Sequence, residues 1–282
     1  MYQIINTGKF YADGGAMFGA VPKVSWSRCY PVNERNLCVL AMNTAVVKTA
    51  CGRVIVIDPG VGGDCLKDAP AVYYQFHELA DICEKLRTEA GIEPAEVTDV
   101  VFTHLHFDHC GGAVAAGKPV FPNATHWVSR RQNDTEKQPH PLEKDSFLPA
   151  NTVVLENACL LKLIDNEVII SENFSLKIYD GHTPGQIAAF IRSGDGTPLI
   201  FPGDIIPLAS QVVPERISAY DLNPSLSWYS KIEILEKAVA EGAVMAFFHD
   251  VFTPLATVKR IGRSYKTETT PSFQQFRRVF NR

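Results

Sequence analysis

Three features of the 282-residue sequence predict an α/β fold built in layers. Short β-rich apolar runs recur from Leu37 to Phe248, two stretches with helical spacing lie among them, and His or Asp repeatedly stands where a β-rich run stops. No repeat, low-complexity run or linker divides the chain, so one domain over residues 1–282 is expected.

Taken in order, residues 1–36 read as a short strand followed by an irregular arm, Ala12 to Lys23. Glycines and alanines there flank Met17 and Phe18 and lead on to Trp26 and Tyr30. Such an arm suits either a substrate-pocket wall or packing on a sheet, and exposed aromatics on it would be where a homodimer forms. Leu37 to Thr49 and Arg53 to Ile57 are β-rich and are separated by Ala50-Cys51-Gly52, a hairpin signal. Asp58 ends the second run, either as a turn residue or as a carboxylate that orients an imidazole. Ala71 to Ala90 places Val72, Phe76, Leu79, Ile82, Cys83 and Leu86 at helical spacing before a stop at Gly91.

Thr98 to Thr103 is then a strand, and Val120 to Val128 another. The polar, proline-bearing segment from Ser129 to Pro149 reads as a lid or pocket wall, with Trp127 and Phe147 as lining residues. Further strands are expected at Leu160 to Ile164, Val168 to Ile170, Leu176 to Tyr179, Ile187 to Ile191, Pro198 to Phe201 and Val244 to Phe248. Ser227 to Glu241 is an amphipathic helix stopped by Gly242, and Pro271 to Phe280 a C-terminal helix.

A net charge of -4 and a pI near 6.1 leave no basic footprint for nucleic acid. The N-terminus lacks a basic segment followed by an apolar one, and no long uninterrupted apolar run occurs, so a cytoplasmic protein without a membrane partner is expected. Seven cysteines are scattered without a CxxC, so neither a disulfide framework nor a structural zinc module is implied and reduced thiols are expected.

The chemistry concentrates in Val101 to Gly112, which packs His104, His106, Asp108 and His109 into six residues. Residues two apart in extended chain point the same way, so His104 and His106 suit one metal while Asp108 and His109 turn toward another. Three more groups stand at strand ends: His182 within Asp180-Gly-His-Thr-Pro-Gly-Gln186, Asp204 after Pro202-Gly203, and His249 before Asp250. Together these make seven ligands for two divalent cations, zinc foremost, with manganese, iron or cobalt compatible. His77, His126 and His140 lack ligand spacing and are expected to be structural, as is Cys110, a small buried residue beside His109.

The segments HLHFDH, GHTPG, PGD and FHD, in that order across nearly the whole chain, resemble the metallo-β-lactamase superfamily. That resemblance implies a four-layer αββα sandwich, with His104, His106 and His182 on one metal, Asp108, His109 and His249 on the second, and Asp204 bridging them. It also favours Asp58 as a carboxylate that orients a ligand imidazole. Asp13 to Lys23, taken with Phe248-His249-Asp250, is similar to the quorum-quenching lactonase branch and its organophosphate-hydrolase-like relatives. True zinc β-lactamases often place Cys where this chain has Asp204, which disfavours antibiotic hydrolysis.

A hydroxide between two cations would then attack a lactone or other ester-like carbonyl of a small molecule, most simply an acyl-homoserine-type lactone. Asp108 and Asp204 are the catalytic carboxylates, and Asp204 would return the proton to the leaving alkoxide. Met17, Phe18, Trp26, Phe107, Trp127 and Phe147 are candidates to receive an acyl tail. The best-known acyl-homoserine lactonases carry Tyr three residues after the bridging Asp, where this chain has Pro207, which puts a tyrosine-assisted step in doubt. A thioester hydrolase of the glyoxalase II type or a phosphotriesterase fits the same ligands, and iron-dependent sulfur oxidation or a non-catalytic role are more distant readings.

Overall fold

The structure, a computed structural model, describes residues 2–63 and 73–268. Its strands are β1 (Tyr2–Asp13), β2 (Leu37–Lys48), β3 (Val54–Ile57), β4 (Asp99–Val101), β5 (Val114–Ala115), β6 (Lys118–Pro119), β7 (Thr125–Ser129), β8 (Leu161–Ile164), β9 (Val168–Ser171), β10 (Phe174–Tyr179), β11 (Gln186–Arg192), β12 (Pro198–Phe201), β13 (Val244–Ala246), β14 (Leu255–Ile261) and β15 (Ser264–Glu268). One sheet runs β1-β2-β3-β4-β7-β8 and the other β15-β14-β13-β12-β11-β10-β9, while β5 and β6 form a small separate hairpin. In the first sheet β3, β4, β7 and β8 are parallel; in the second only β12 and β13 are.

The period of two along each strand explains the layers. Ala45, Val47, Ile55, Ile57 and Val101 face Leu176, Ile187, Ala189, Leu199, Phe201 and Val244 across the centre of the sandwich. Their immediate neighbours point outward. Val46, Val54, Val56 and Val100 meet Ile82, Leu86 and Leu155 from helical segments, and Ala188, Phe190, Ile200 and Met245 meet Ile234, Leu235 and Ala238 of the helix Pro224–Glu241. The result is helix, sheet, sheet, helix. Each Leu or Ile so buried contributes roughly 1.5–3 kcal/mol, so a one-residue slip in any strand would exchange its two apolar faces.

Most predicted strands form where the sequence places them, and β12 agrees to the residue. The hairpin at Ala50-Cys51-Gly52 joins β2 to β3 in antiparallel register. Asn223 caps the helix Pro224–Glu241 through Leu226 N, and Gly242 ends it at φ 61°.

Elsewhere local signals were overridden. The helix expected from Ala71 to Ala90 is broken: residues 73–74 are helical, and helix returns only at Ile82–Lys85 and a π-turn Leu86–Ala90, with Ala71 and Val72 outside the described residues. Gln75 and Glu78 take positive φ, and the backbone of His77 pairs with Lys9 on the edge of β1, so apolar spacing there serves a bridge and not a helix. Asp81 starts the shorter helix by accepting from Glu84 N.

The segment expected to be an irregular lid contains the helix Arg130–Lys137, capped by Ser129 and burying Gln132, Asn133 and Glu136. A second helix, Pro149–Asn157, follows it; the polar composition of the first hid the period that burial reveals. The hairpin β14–β15 went unpredicted, and the C-terminal helix expected at Pro271 to Phe280 lies outside the described residues. Among the described residues no helix is long and apolar enough to cross a membrane, and six cysteines are free thiols.

The N-terminal arm is also more ordered than expected. Helical turns at Gly14–Phe18 and Lys23–Trp26 bring Phe18 and Trp26 into a stacked pair with ring centres 4.8 Å apart. Met17, Phe18, Trp26 and Tyr30 are all but fully buried. The exposed aromatics that would carry a homodimer contact are therefore consumed by the arm's own packing.

Candidate metal centre

Every candidate ligand sits just past the C-terminal end of a strand, at one edge of the sandwich. β4 ends at Val101 and delivers His104 and His106, and the short helix Phe107–Cys110 turns Asp108 and His109 back toward them. His182 follows β10, Asp204 follows β12 and His249 follows β13. A backbone bond from Ile187 N to Thr103 O, 2.7 Å, ties the two sheets together at this edge.

Two glycines let the loops approach. Gly181 has φ 142°, and a Cβ there would lie 2.3 Å from Ser227 Oγ; Gly203 has φ 54°, and a Cβ would lie 2.4 Å from Gln186 Nε2.

The seven residues converge. His104, His106 and His182 form one group; Asp108, His109 and His249 form another; Asp204 joins His104 and His109 in a third. Within each group the ligand atoms lie within 4.8 Å of one another. His106 Nδ1 is 3.3 Å from His182 Nε2, and His109 Nε2 is 3.3 Å from His249 Nε2. Asp204 reaches both groups, with Oδ2 3.6 Å from His182 Nε2 and 3.3 Å from His249 Nε2, and Oδ1 3.4 Å from His109 Nε2.

Each imidazole is fastened by its other nitrogen. His104 Nδ1 is 3.0 Å from Thr103 Oγ1, and His106 Nε2 is 3.3 Å from Glu143 Oε2. His109 Nδ1 is 2.9 Å from Asp58 Oδ2, His182 Nδ1 is 3.0 Å from Asp221 Oδ1, and His249 Nδ1 is 2.8 Å from the Ala41 carbonyl. These outer partners fix which nitrogen keeps its proton and aim the other inward. Asp58 is itself held in place: Thr103 N and Oγ1 donate to its two oxygens at 2.8 and 2.7 Å.

The residues present fit divalent cations. His104 Nε2 is buried with no hydrogen-bond partner, which costs about 1–3 kcal/mol in a protein interior unless an unseen group meets it. Donors about 2.0–2.1 Å from a tetrahedral cation stand about 3.3 Å apart, the spacing of the facing imidazole nitrogens.

The electrostatics divide the imidazoles. Burial and the neighbouring His109 and His106 push His104 well below the ordinary imidazole value. Burial likewise lowers His106, against the pull of Glu143. Burial also disfavours charge on His109 and His182, but the nearby carboxylates overcome it and raise both. Burial opposes ionisation of Asp204, yet His249 and His109 outweigh it and hold the carboxyl well below its usual range.

Sequence reasoning missed Glu143, Asp221 and Thr103, because polar residues in loops carry no mark of the imidazole they will meet. It also missed Tyr74 and Tyr220, whose phenols are pushed up by burial and by the charge of Asp108. Of the expected pocket residues, Phe107 and Phe147 lie beside the cluster. The Phe147 ring is 5.1 Å from that of His106, and Phe107 packs on Tyr74 at 5.9 Å. Met17 and Phe18 sit in the same apolar cluster as Phe107 but are buried within it. Trp26 is behind Phe18, and Trp127 belongs to the core between the sheets, its Nε1 donating to Asp99 Oδ1. Trp26 and Trp127 are therefore corrected to structural residues: alternation along β7 turns Trp127 inward.

The remaining histidines also have local partners. The ring of His77 stacks on Tyr11, while those of His126 and His140 engage the backbone of Ala124 and Leu142. Cys110 is buried with Sγ 3.4 Å from the Leu105 carbonyl.

Residues 39–249 match the family model described as the metallo-beta-lactamase superfamily. An N-acyl homoserine lactonase, AttM, of Azorhizobium caulinodans is 33% identical over 136 residues, which cover 46% of this chain and 49% of that protein. The N-acyl homoserine lactonase AiiA of Bacillus thuringiensis subsp. kurstaki is 23% identical over 57% of this chain and 59% of its own length. The chain thus spans only about half of the curated relatives it matches. Among solved structures, a probable metal-dependent hydrolase from Staphylococcus aureus superposes with TM-score 0.83 at 26% identity, covering 96% of this chain and 97% of that one. A dizinc quorum-quenching lactonase, AidC, superposes with TM-score 0.76 at 21% identity over 95% and 94%.

Proposed function

This chain belongs to the metallo-β-lactamase superfamily, and we propose that it is a dinuclear metal-dependent hydrolase that opens the ring of a small lactone, an acyl-homoserine-type lactone above all. The observation that carries this reading is the set of five imidazoles, each anchored by one nitrogen and aimed by the other at a shared centre that also receives Asp108 and Asp204. The lactone is favoured by the names of the partly matching relatives.

His104, His106 and His182 would hold one cation, Asp108, His109 and His249 the other, and Asp204 would contact both. When bound, two divalent cations supply Lewis acidity toward a substrate oxygen and bring the pKa of water toward neutrality. The chain's own part is orientation and proton movement. Thr103, Glu143, Asp58, Asp221 and the Ala41 carbonyl keep the imidazoles from turning, which holds the reacting groups in register.

Asp204, kept ionised by His249 and His109, is the acceptor for the proton released as water adds to the carbonyl. It returns that proton to the ring oxygen as the C–O bond breaks, giving the hydroxy acid. Phe147 and Phe107 offer an apolar wall beside the cluster for an acyl chain.

The test is hydrolysis by the metal-loaded protein of short- and long-chain acyl-homoserine lactones, a glutathione thioester and a phosphotriester, before and after chelation. Preference for the lactones, lost on chelation and restored by metal, is the expected result. Preference for the thioester or phosphotriester would overturn the substrate, and turnover that survives full metal removal would overturn the mechanism.

A further inference from the structure

A second concave site lies behind the His249 loop. Residues 27–31 of the N-terminal arm, the turn 209–213 with Arg216, the loop 250–253 and β15 at Tyr265–Thr267 enclose a cavity of about 670 Å³. None of these is a candidate metal ligand, though Asp250 directly follows one.

The lining is lopsided in charge. Arg28, Arg216 and Lys266 face it together with a single carboxylate, Asp250. That carboxylate is tied into the backbone: Oδ1 accepts from Phe252 N and Thr253 N at 2.8 and 2.6 Å, and Oδ2 accepts from Ala209 N at 2.9 Å. Among the described residues none of the three cations forms an ion pair, whereas Arg53, Arg130, Arg131, Lys137 and Arg260 elsewhere each do.

Arg216 is built in rather than trailing in solvent. Its Nη1 donates to the Ser210 carbonyl at 2.6 Å, its Nη2 lies 3.2 Å from Cys29 Sγ, and its own carbonyl accepts from the buried Lys231 at 2.8 Å. Ser210 Oγ, also on the lining, is a buried hydroxyl without a hydrogen-bond partner. Phe252 supplies exposed aromatic surface, braced edge to face at 5.4 Å by the buried Tyr30. Uncompensated cations in a concave site concentrate anions, and a guanidinium fork binds carboxylate or phosphate oxygens in pairs.

We propose that this cavity binds a small organic anion of two or more negative charges, a polycarboxylate or a phosphate ester, separately from the metal cluster. The cations hold its charged groups, Ser210 Oγ donates to one of them, and Phe252 covers its carbon skeleton. Occupancy bears on the loop Asp250 to Thr253, the continuation of the segment that carries His249.

The test is isothermal titration of the full metal-loaded chain at low ionic strength with inorganic sulfate, glycerol 2-phosphate and tricarballylate, all weak chelators of divalent metals. One saturable site is expected, weakening as salt rises. The double variant Arg28→Met/Lys266→Met, which leaves Arg216 and its backbone contacts in place, should lose at least about tenfold in affinity, and Ser210→Ala about tenfold. Metal content and turnover should be unchanged in both. Preference among the three probes assigns the site to phosphate or carboxylate. No saturable binding up to about 10 mM, or equal binding by wild type and the double variant, would overturn the proposal, the second result placing the anion at the metal cluster or elsewhere. Since the readout is binding and not hydrolysis, a failed substrate panel leaves this test intact.

Discussion

The two halves of the candidate metal centre obtain their negative charge differently. His104, His106 and His182 are all imidazoles, and two of them lean outward on carboxylates, Glu143 and Asp221, supplied by distant loops. Asp108, His109 and His249 include a carboxylate of their own and lean on Asp58 and a backbone carbonyl. Removing charge at the periphery should therefore weaken the first half through His182 and the second through His109. Removing the shared Asp204 should weaken both.

The largest expected effect follows from that sharing. Asp204→Asn should keep the fold but lose about a thousandfold or more in kcat/KM, by steady-state hydrolysis with circular dichroism as the fold control; unchanged turnover would take Asp204 out of the mechanism. Next, His104→Ala and His249→Ala should each lower bound metal from about two ions per chain to about one, measured by elemental analysis. Loss of both ions from either variant would mean that the halves do not bind independently.

One step smaller, Asp221→Asn and Asp58→Asn should each weaken one ion by about 10–100-fold in chelator competition. If both variants release the same ion, the division into halves is wrong. Smaller again, Phe147→Ala should reduce turnover of long-chain lactones about tenfold more than short-chain ones. Trp127→Ala, a change in the inter-sheet core, should affect both chain lengths alike, and the reverse pattern would move the acyl wall to β7.

The smallest effect on activity, none, is expected at Glu136, a buried carboxyl away from the cluster. Asp204 is driven down by imidazoles. Glu136, by contrast, is pushed up to about 7 by burial and has a hydrogen bond from Thr152 to oppose it. A raised carboxyl costs nothing below its unfolded value near 4.5, and its cost grows as pH rises to about 7 and then levels off. Glu136→Gln should thus gain up to about 3 kcal/mol relative to wild type between pH 4.5 and pH 8 in urea unfolding. A difference independent of pH would refute this origin.

HLHFDH is legible because four candidate ligands lie within six residues, a density that core packing does not require. His182, Asp204 and His249 are legible because each follows an apolar run that can only be a buried strand. By contrast, Glu143 and Asp221 stand 37 and 39 residues from the imidazoles they hold, and only folding makes them neighbours. The same limit explains the helix expected at Ala71 to Ala90, where apolar spacing was real but the backbone of His77 found a strand edge to pair with. It explains Trp127 as well, since a strand's two faces are equivalent until the sheet is placed.

By itself, then, the sequence determined a layered α/β class, through apolar runs that demand burial, and the seven residues gathered at their ends, while its resemblance to the metallo-β-lactamase superfamily implied the αββα arrangement. Tertiary structure decided the rest. It chose which nitrogen of each imidazole points inward, buried the aromatics of the N-terminal arm, and brought Arg28, Arg216 and Lys266 around one cavity. Periodicity is a property of neighbours in the chain, whereas proton placement, desolvation and charge balance depend on neighbours in space.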